Sequence, residues 1–284
     1  MPIHVIGASG RSGAALCRAL LARGAPFVPI VRDPARWAAT GLPGAPLIAD
    51  LTHPASLANA LADAMEIASC AHARHAPAIL AAAPRAQRFA FLGSTRKFTQ
   101  WPDAHARGVL AGEAAFLASN RSGAMLHPTM IYGAQGEDNV QRLARLLRLP
   151  FIPLPGAGRN LVQPIHQSDV TRALLAALGR DWPAPASLVI AGPTPLPYRD
   201  LLRAIARAAR LHPPRIVPVP ATLLRALAPL TLLPGLPRIR PAELRRLLEN
   251  KAFDIRPMRE HLGVEPIPLD QGLAHLFSRN PECP

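Results

Sequence analysis

The run Val5-Ile6-Gly7-Ala8-Ser9-Gly10-Arg11-Ser12-Gly13 limits what this chain can fold into more than any other stretch. Ile3 to Ile6 reads as a short strand buried on both faces, the kind found inside a parallel sheet. Three glycines spaced three apart follow it, and Ala14 to Arg23 then reads as helix. Strand, glycine turn and helix in that order form a dinucleotide-binding element. Gly7 permits the tight turn, Gly10 lets the backbone approach a pyrophosphate, and Gly13 lets the helix pack closely on the sheet. A pyrophosphate suits the helix N-terminus, where unpaired N–H groups and the helix dipole favour negative charge. Ser9, Arg11 and Ser12 supply the side chains of this turn and count with the glycines as cofactor contacts.

The carboxyl ends of the next strands extend the site. Pro26 to Val31 reads as a second strand, and Arg32 follows at the place that faces the adenosine ribose. An acidic residue there selects NAD, whereas arginine pairs with a 2′-phosphate, so Arg32 favours NADP over NAD. Asp33, one place further on, pulls the other way, and Arg36 reads as a solvated helix residue. A third strand over Leu47 to Ala49 ends in Asp50-Leu51, where Asp50 can accept from an adenine amino group and the Leu51 N–H can serve a ring nitrogen. The alternative for Asp50 is a plain turn residue. Thr52 to Met65 then suits a helix capped near Thr52. A weak fourth strand over Glu66 to Ala71 puts Cys70 and Ala71 beside the cofactor, because ligands of doubly wound sheets bind beyond strand carboxyl ends. His72 and His75 are either acid/base groups or phosphate contacts, or loop residues without a task. Arg88 to Leu92 is the clearest later strand, and it places Ser94 for a substrate carbonyl or the nicotinamide ribose, with Lys97 just beyond. Asp103 to Ser119 reads as helix and Ala124 to Leu126 as the start of a sixth strand.

This alternation over 284 residues predicts an α/β chain: a doubly wound parallel Rossmann sheet with a smaller C-terminal substrate lobe. The expected division is a nucleotide-binding domain over 1–133, with 160–192 packing back on it. The segments 134–159 and 193–284 then form the lobe. The three cysteines, Cys17, Cys70 and Cys283, lie far apart, which argues against a disulfide framework and a zinc site, so no metal is expected. No signal peptide and no transmembrane stretch are visible, so the chain reads as cytoplasmic. The formal charge is +14, from 32 basic and 18 acidic side chains. Charge alone is no case for nucleic acid, because no nucleic-acid module accompanies it. The last third is basic and broken by prolines: Arg199 through Arg246 holds ten arginines against Asp200 and Glu243. The nearly apolar 219–236 reads as a lobe helix and loop over the cleft, or else as part of an interfacial segment, 215–246, touching a membrane surface. A small-molecule substrate, phosphorylated or nucleotide-linked among the options, fits these arginines.

Gly7-x-x-Gly10-x-x-Gly13, Arg32, Asp50-Leu51, Gly93-Ser94-Thr95, His127-Pro128-Thr129-Met130-Ile131-Tyr132-Gly133 and Gln163-Pro164-Ile165-His166 occur in an order that resembles the short-chain dehydrogenase/reductase superfamily. The likeness is to its extended or atypical branch of epimerase/dehydratase-like proteins, and Asn250 to Asp254 and Leu262 to Pro266 look like that branch's closing lobe. The resemblance implies that Pro128, Met130 and Ile131 line the nicotinamide and that the lobe after Gly133 binds substrate. It also implies a catalytic tyrosine, with a lysine four residues later, on the helix after the Ser94 strand. Aligned through Glu113, those places fall at His105 and Val109, and the helix has neither residue type. The expectation is therefore an NADP-binding oxidoreductase or epimerase-like protein with a non-standard site, for which Ser94, His105 and Lys97 are the catalytic candidates. The alternative is a non-catalytic NADP-binding accessory or assembly subunit acting at a membrane complex.

Overall fold

Short runs of branched and small apolar residues set the frame of the molecule, whose computed structural model describes residues 1–133, 139–220, 222–223 and 246–278. The strands are β1 (Ile3–Ile6), β2 (Phe27–Val31), β3 (Leu47–Ile48), β4 (Glu66–Ser69), β5 (Arg88–Leu92) and β6 (Gly123–Pro128). Later come β7 (Ile131–Tyr132), β8 (Ile152–Pro155), β9 (Leu161–Val162), β10 (Ile165–His166), β11 (Ala186–Ile190), β12 (Leu196–Pro197) and β13 (Ile216–Val219). Seven of them form one sheet in the order β11-β6-β5-β4-β1-β2-β3. Every pairing in it is parallel. The order reverses between β1 and β4, and such a switch point is where a doubly wound sheet opens a crevice for a ligand.

Helices cover both faces. They are α1 (Arg11–Ala22), α2 (Pro34–Ala38), α3 (Pro54–Leu61), α4 (Ala76–Ala82) and α5 (Ala104–Ala118), then α6 (Asn139–Leu146), α7 (Gln167–Leu178), α8 (Tyr198–Ala208), α9 (Arg256–Leu262) and α10 (Leu269–Ser278). The two-residue period of the strands divides the core. Val5, Ala68, Ala90 and Leu126 face α1, α7 and α9, where Leu16, Leu20, Leu174 and Met258 complete one cluster. Their neighbours Ile6, Ile67, Phe89 and Phe91 face α3, α4 and α5, meeting Leu57, Leu61, Ile79 and Phe116. Each large apolar side chain so buried contributes about 1.5–3 kcal/mol. A third cluster joins Tyr132, Val140, Ile152, Leu154, Leu201, Ile205 and Leu273, drawn from β7, α6, β8, α8 and α10.

Several boundaries differ from the sequence reading; the fourth strand, for one, ends at Ser69 rather than Ala71. Helix α1 starts at Arg11, directly on the glycine turn, rather than at Ala14. The helix expected over Thr52 to Met65 spans only Pro54–Leu61. Thr52 is taken up by the turn before it, donating through N–H (2.8 Å) and hydroxyl (2.7 Å) to Asp50. Pro54 then occupies the first helical turn, where a missing N–H costs nothing. The third strand stops at Ile48. The proposed interfacial segment 215–246 lies mostly outside the described residues, as do 134–138 ahead of α6. No described helix is long and apolar enough to cross a membrane.

Candidate functional site

Two adjoining cavities open along the carboxyl edge of the sheet, one on either side of the glycine turn. The first, of about 300 Å³, is walled by the ends of β1, β2, β3 and β4. Gly7, Ser9, Gly10, Arg32, Asp50, Leu51 and Cys70 line it, together with Asp33, Arg36 and His75. Asp33 is engaged elsewhere, because its Oδ1 accepts from the Ala35 N–H at 2.9 Å and the Arg36 N–H at 3.4 Å, capping α2. Arg32 and Arg36 are thus the cationic wall of this cavity. Hydrogen bonds from the Thr52 backbone and hydroxyl hold the Asp50 carboxyl below the usual carboxylate range.

The glycine turn explains how the two cavities meet. Gly7 has φ +74, a left-handed conformation that side chains resist. A Cβ on Gly13 would stand 2.2 Å from the Gly7 carbonyl oxygen, so α1 can lie against the turn only with glycine there. The N-cap of α1 is Gly10, which offers no side-chain cap, and no acidic residue sits in the first turn. The N-terminus of α1, at the mouth of the crevice, is a place where backbone amides and the helix dipole favour an anion such as a pyrophosphate.

The second cavity, of about 490 Å³, collects residues from far-separated parts of the chain. Arg11, Ser12, Cys70, Ala71, Ser94, His105, Pro128, Met130 and Ile131 line it, with His72, Val109, Thr129 and Gln167. Ser12 donates to Gln167 Oε1 at 2.9 Å, tying α1 to α7 across the floor. The His72 and His105 rings meet edge to face, 4.3 Å between centroids. Burial, then the charges of His105, Arg74, His75 and Arg96, bring His72 down to about 4, so it is neutral near pH 7. Burial and three arginines also lower His105. Cys70 borders both cavities, and burial pushes its thiol up to about 12.

Lys97 does not line this cavity. Its ammonium turns behind the wall to Glu113, with Ser187 Oγ at 3.3 Å, and both ionic side chains are only 11% exposed. Glu113 also accepts from Ser187. The fully buried His127 completes the group: its Nδ1 accepts from the Ser94 N–H at 3.1 Å, so the neutral ring carries its proton on Nε2. Nε2 faces Ser187 Oγ at 3.1 Å and Glu113 Oε1 at 3.2 Å. Burial and the Lys97 charge lower His127 to about 4. Burial works to raise Glu113, but hydrogen bonds from Lys97 and Ser187 outweigh it and its carboxyl lies below the usual range. The His127 ring lies so close to Gly93 that a Cβ there would come within 2.4 Å of Nδ1. This buried group therefore fixes the backbone of Gly93 and Ser94, whose hydroxyl accepts from the Arg96 N–H at 3.1 Å.

Every expected cofactor contact except Gly13 borders one of the two cavities, and Gly13 stands behind the turn. Of the catalytic candidates, Ser94 and His105 reach the second cavity; the Lys97 ammonium is committed to Glu113. Tyr132 is buried in the lobe cluster, away from both cavities. Sequence reasoning missed Gln167 and the buried His127–Glu113–Ser187 group, because both depend on contacts between elements far apart in the chain. Arg36 was legible only as a solvated helix residue, although it lines the same cavity as Arg32.

No family model matches the sequence, and no curated protein matches it. Solved structures do. The chain superposes on UDP-glucose 4-epimerase of Thermotoga maritima with UDP-glucose at TM-score 0.75 and 14% identity, covering 99% of each chain. It superposes on the NADPH-dependent quinone oxidoreductase of Escherichia coli complexed with NADPH at 0.74 and 18%, covering 97% of this chain and 99% of that one. A short-chain dehydrogenase/reductase superfamily protein of Agrobacterium tumefaciens with bound NAD gives 0.72 and 15%, over 99% and 98%. The chain therefore has the fold of the short-chain reductases and nucleotide-sugar epimerases from end to end.

Proposed function

We propose that this chain is an NADP-binding oxidoreductase or epimerase-like protein of the extended or atypical short-chain reductase type. One observation carries the cofactor preference: Arg32 and Arg36 wall the first cavity while Asp33, the acidic residue next to Arg32, caps α2. In this reading the guanidiniums pair with a 2′-phosphate, Asp50 and Leu51 meet the adenine, and the first turn of α1 holds the pyrophosphate. Ser94, Pro128, Met130 and Ile131 would flank the nicotinamide, whose C4 supplies hydride chemistry when NADPH is bound. His105, one turn before the apolar Val109, is the acid/base group nearest in place to a family tyrosine. Its lowered pKa makes it a proton acceptor near neutrality rather than a stored acid.

Val109, 1% exposed, favours a second reading. With an apolar side chain where a ribose-holding lysine is expected, the protein would keep the cofactor as a structural element of an accessory or assembly subunit. The lobe and the arginine-rich 199–246 would then serve a partner. Steady oxidation of NADPH by the isolated chain with a carbonyl or sugar-nucleotide panel removes this second reading. Absence of turnover together with stoichiometric bound NADPH removes the first.

Titration of NADPH and NADH fluorescence with wild type and Arg32→Asp tests the cofactor assignment. The variant is expected to bind NADPH about 10- to 100-fold more weakly and NADH no worse than wild type. Undiminished NADPH binding would remove Arg32 from the 2′-phosphate role.

A further inference from the structure

We infer that His72 is the hydrogen-bond donor that holds the nicotinamide riboside half of a bound dinucleotide in the second cavity, its Nε2–H given to an uncharged oxygen of that half. The inference rests on the proposed cofactor reading and adds to it a residue placed by the end of β4. The ring is fixed before any ligand arrives. Its Nδ1 accepts from the Arg74 N–H at 3.0 Å, so the neutral imidazole carries its proton on Nε2. Burial first, then nearby positive charge, brings this histidine down to about 4, which keeps it a neutral donor near pH 7. Two glycines let α5 lie close against the same stretch. A Cβ on Gly108 would stand 3.0 Å from His72 Cε1, and one on Gly112 would collide with the Ala73 carbonyl oxygen.

The donor itself is left over. Nε2 of His72 is buried and has no hydrogen-bond partner. A buried donor without an acceptor costs free energy, which an acceptor on a ligand restores. Ser12, Ser94 and Thr129, on the same cavity, each have a protein partner: Gln167 Oε1, the Arg96 N–H and the Gln163 carbonyl. The His105 imidazole packs edge to face on the His72 ring, and among the described residues its side chain makes no hydrogen bond. It is therefore free to turn and open Nε2 to the cavity.

Place decides which part of the ligand His72 meets. Cys70 and Ala71 abut the glycine turn, since a Cβ on Gly7 would stand 3.2 Å from the Ala71 nitrogen and 3.4 Å from the Cys70 carbonyl carbon. Cys70 borders both cavities, whereas Ala71 and His72 line the second and not the first. A pyrophosphate seated at that turn sends its nicotinamide side past Ala71, and the next side chain with a donor is His72. The sugar is the first group attached there, and its hydroxyls are uncharged acceptors suited to a neutral donor. Val109, one residue past Gly108, brings only an apolar side chain to this part of the wall.

The test follows the His72 ring by nitrogen–proton NMR in the full chain, with NADP and with 2′,5′-ADP, which lacks the nicotinamide half. Expected is a downfield move of the Nε2–H proton with NADP that 2′,5′-ADP does not produce, with Nδ1 unprotonated throughout. Two substitutions separate a ligand contact from a structural one. Asn keeps an acceptor near the Nδ1 place for the Arg74 N–H and drops the donor. Gln reaches the Nε2 place with a donor and drops the acceptor. His72→Asn should therefore weaken NADPH about tenfold and leave 2′,5′-ADP unaltered, while His72→Gln binds NADPH nearer to wild type although it melts lower. Equal NADPH affinity in the two variants, or an Nε2–H signal unmoved by saturating NADP, overturns the inference. Failure of the wild type to bind NADPH at all strikes the cofactor reading, whereas NADPH binding with an unmoved His72 strikes only the role of His72.

Discussion

The two cavities are built by different means. The first is made of strand ends and the turns that follow them, so each lining residue sits where its own short stretch of chain puts it. The second depends on partners brought from afar: Ser12 to Gln167, Ser94 to His127, and His127 to Ser187 and Glu113. Local geometry makes a cavity that tolerates distant change; long-range side-chain contacts make one that distant change can undo.

The largest expected effect breaks the second cavity. Glu113→Ala leaves the Lys97 ammonium buried without its partner, a loss of about 3–5 kcal/mol. For a chain of this size that lowers the melting temperature on the order of 10 °C in calorimetry. Binding of 2′,5′-ADP, an adenosine-side probe, should stay within about twofold of wild type where the variant is folded. Replacing both partners, Lys97→Met with Glu113→Leu, should recover most of the stability. If the single and double variants melt alike, the ion pair is not what holds this wall.

Gly13→Ala attacks the other side. Its Cβ would meet backbone rather than a yielding side chain, so about 1–3 kcal/mol of overpacking strain is expected. The same probe should now bind at least tenfold more weakly, because α1 is forced off the turn. Unchanged 2′,5′-ADP binding would show that the contact of α1 with Gly7 does not shape the first cavity.

The third effect is a pH dependence. His72 and His127 titrate near 4 in the folded chain, against 6.5 for an unhindered imidazole. As pH falls from about 6.5 the unfolded chain takes up protons that the folded chain refuses, so stability declines down to about pH 4. Below that both states are protonated and this contribution is fully lost. Thermal melts across the window should show the decline, and His127→Gln should reduce its slope. An unaltered slope would place the burden on His72 and the other histidines whose pKa values burial lowers, His4, His75 and His105.

The same contrast decides what could be read from sequence. The doubly wound parallel sheet followed from short apolar runs and glycine punctuation, and the place of Arg32 at the first cavity followed from its position after β2. The roles of Asp33 and Asp50 did not, because a carboxylate that caps its own turn looks the same in sequence as one that meets a ligand. Lys97 was misplaced for a related reason: proximity to Ser94 in sequence put it near the cavity, while an 11% exposed pocket behind the wall claims its charge. Gln167 and Ser187 carry no local signature at all; only the packing of α7 on α1 and of β11 on β6 reveals them.

The order of the sheet also sets a schedule for synthesis. The lining of the first cavity is complete once His75 has been added, whereas the second waits for Gln167 and its supporting wall for Ser187. At about 5–20 residues per second, a ribosome needs roughly 5–20 s between the two linings. During that interval the nascent chain carries the residues of the first cavity, the turn at Gly7 among them, without those that complete the second.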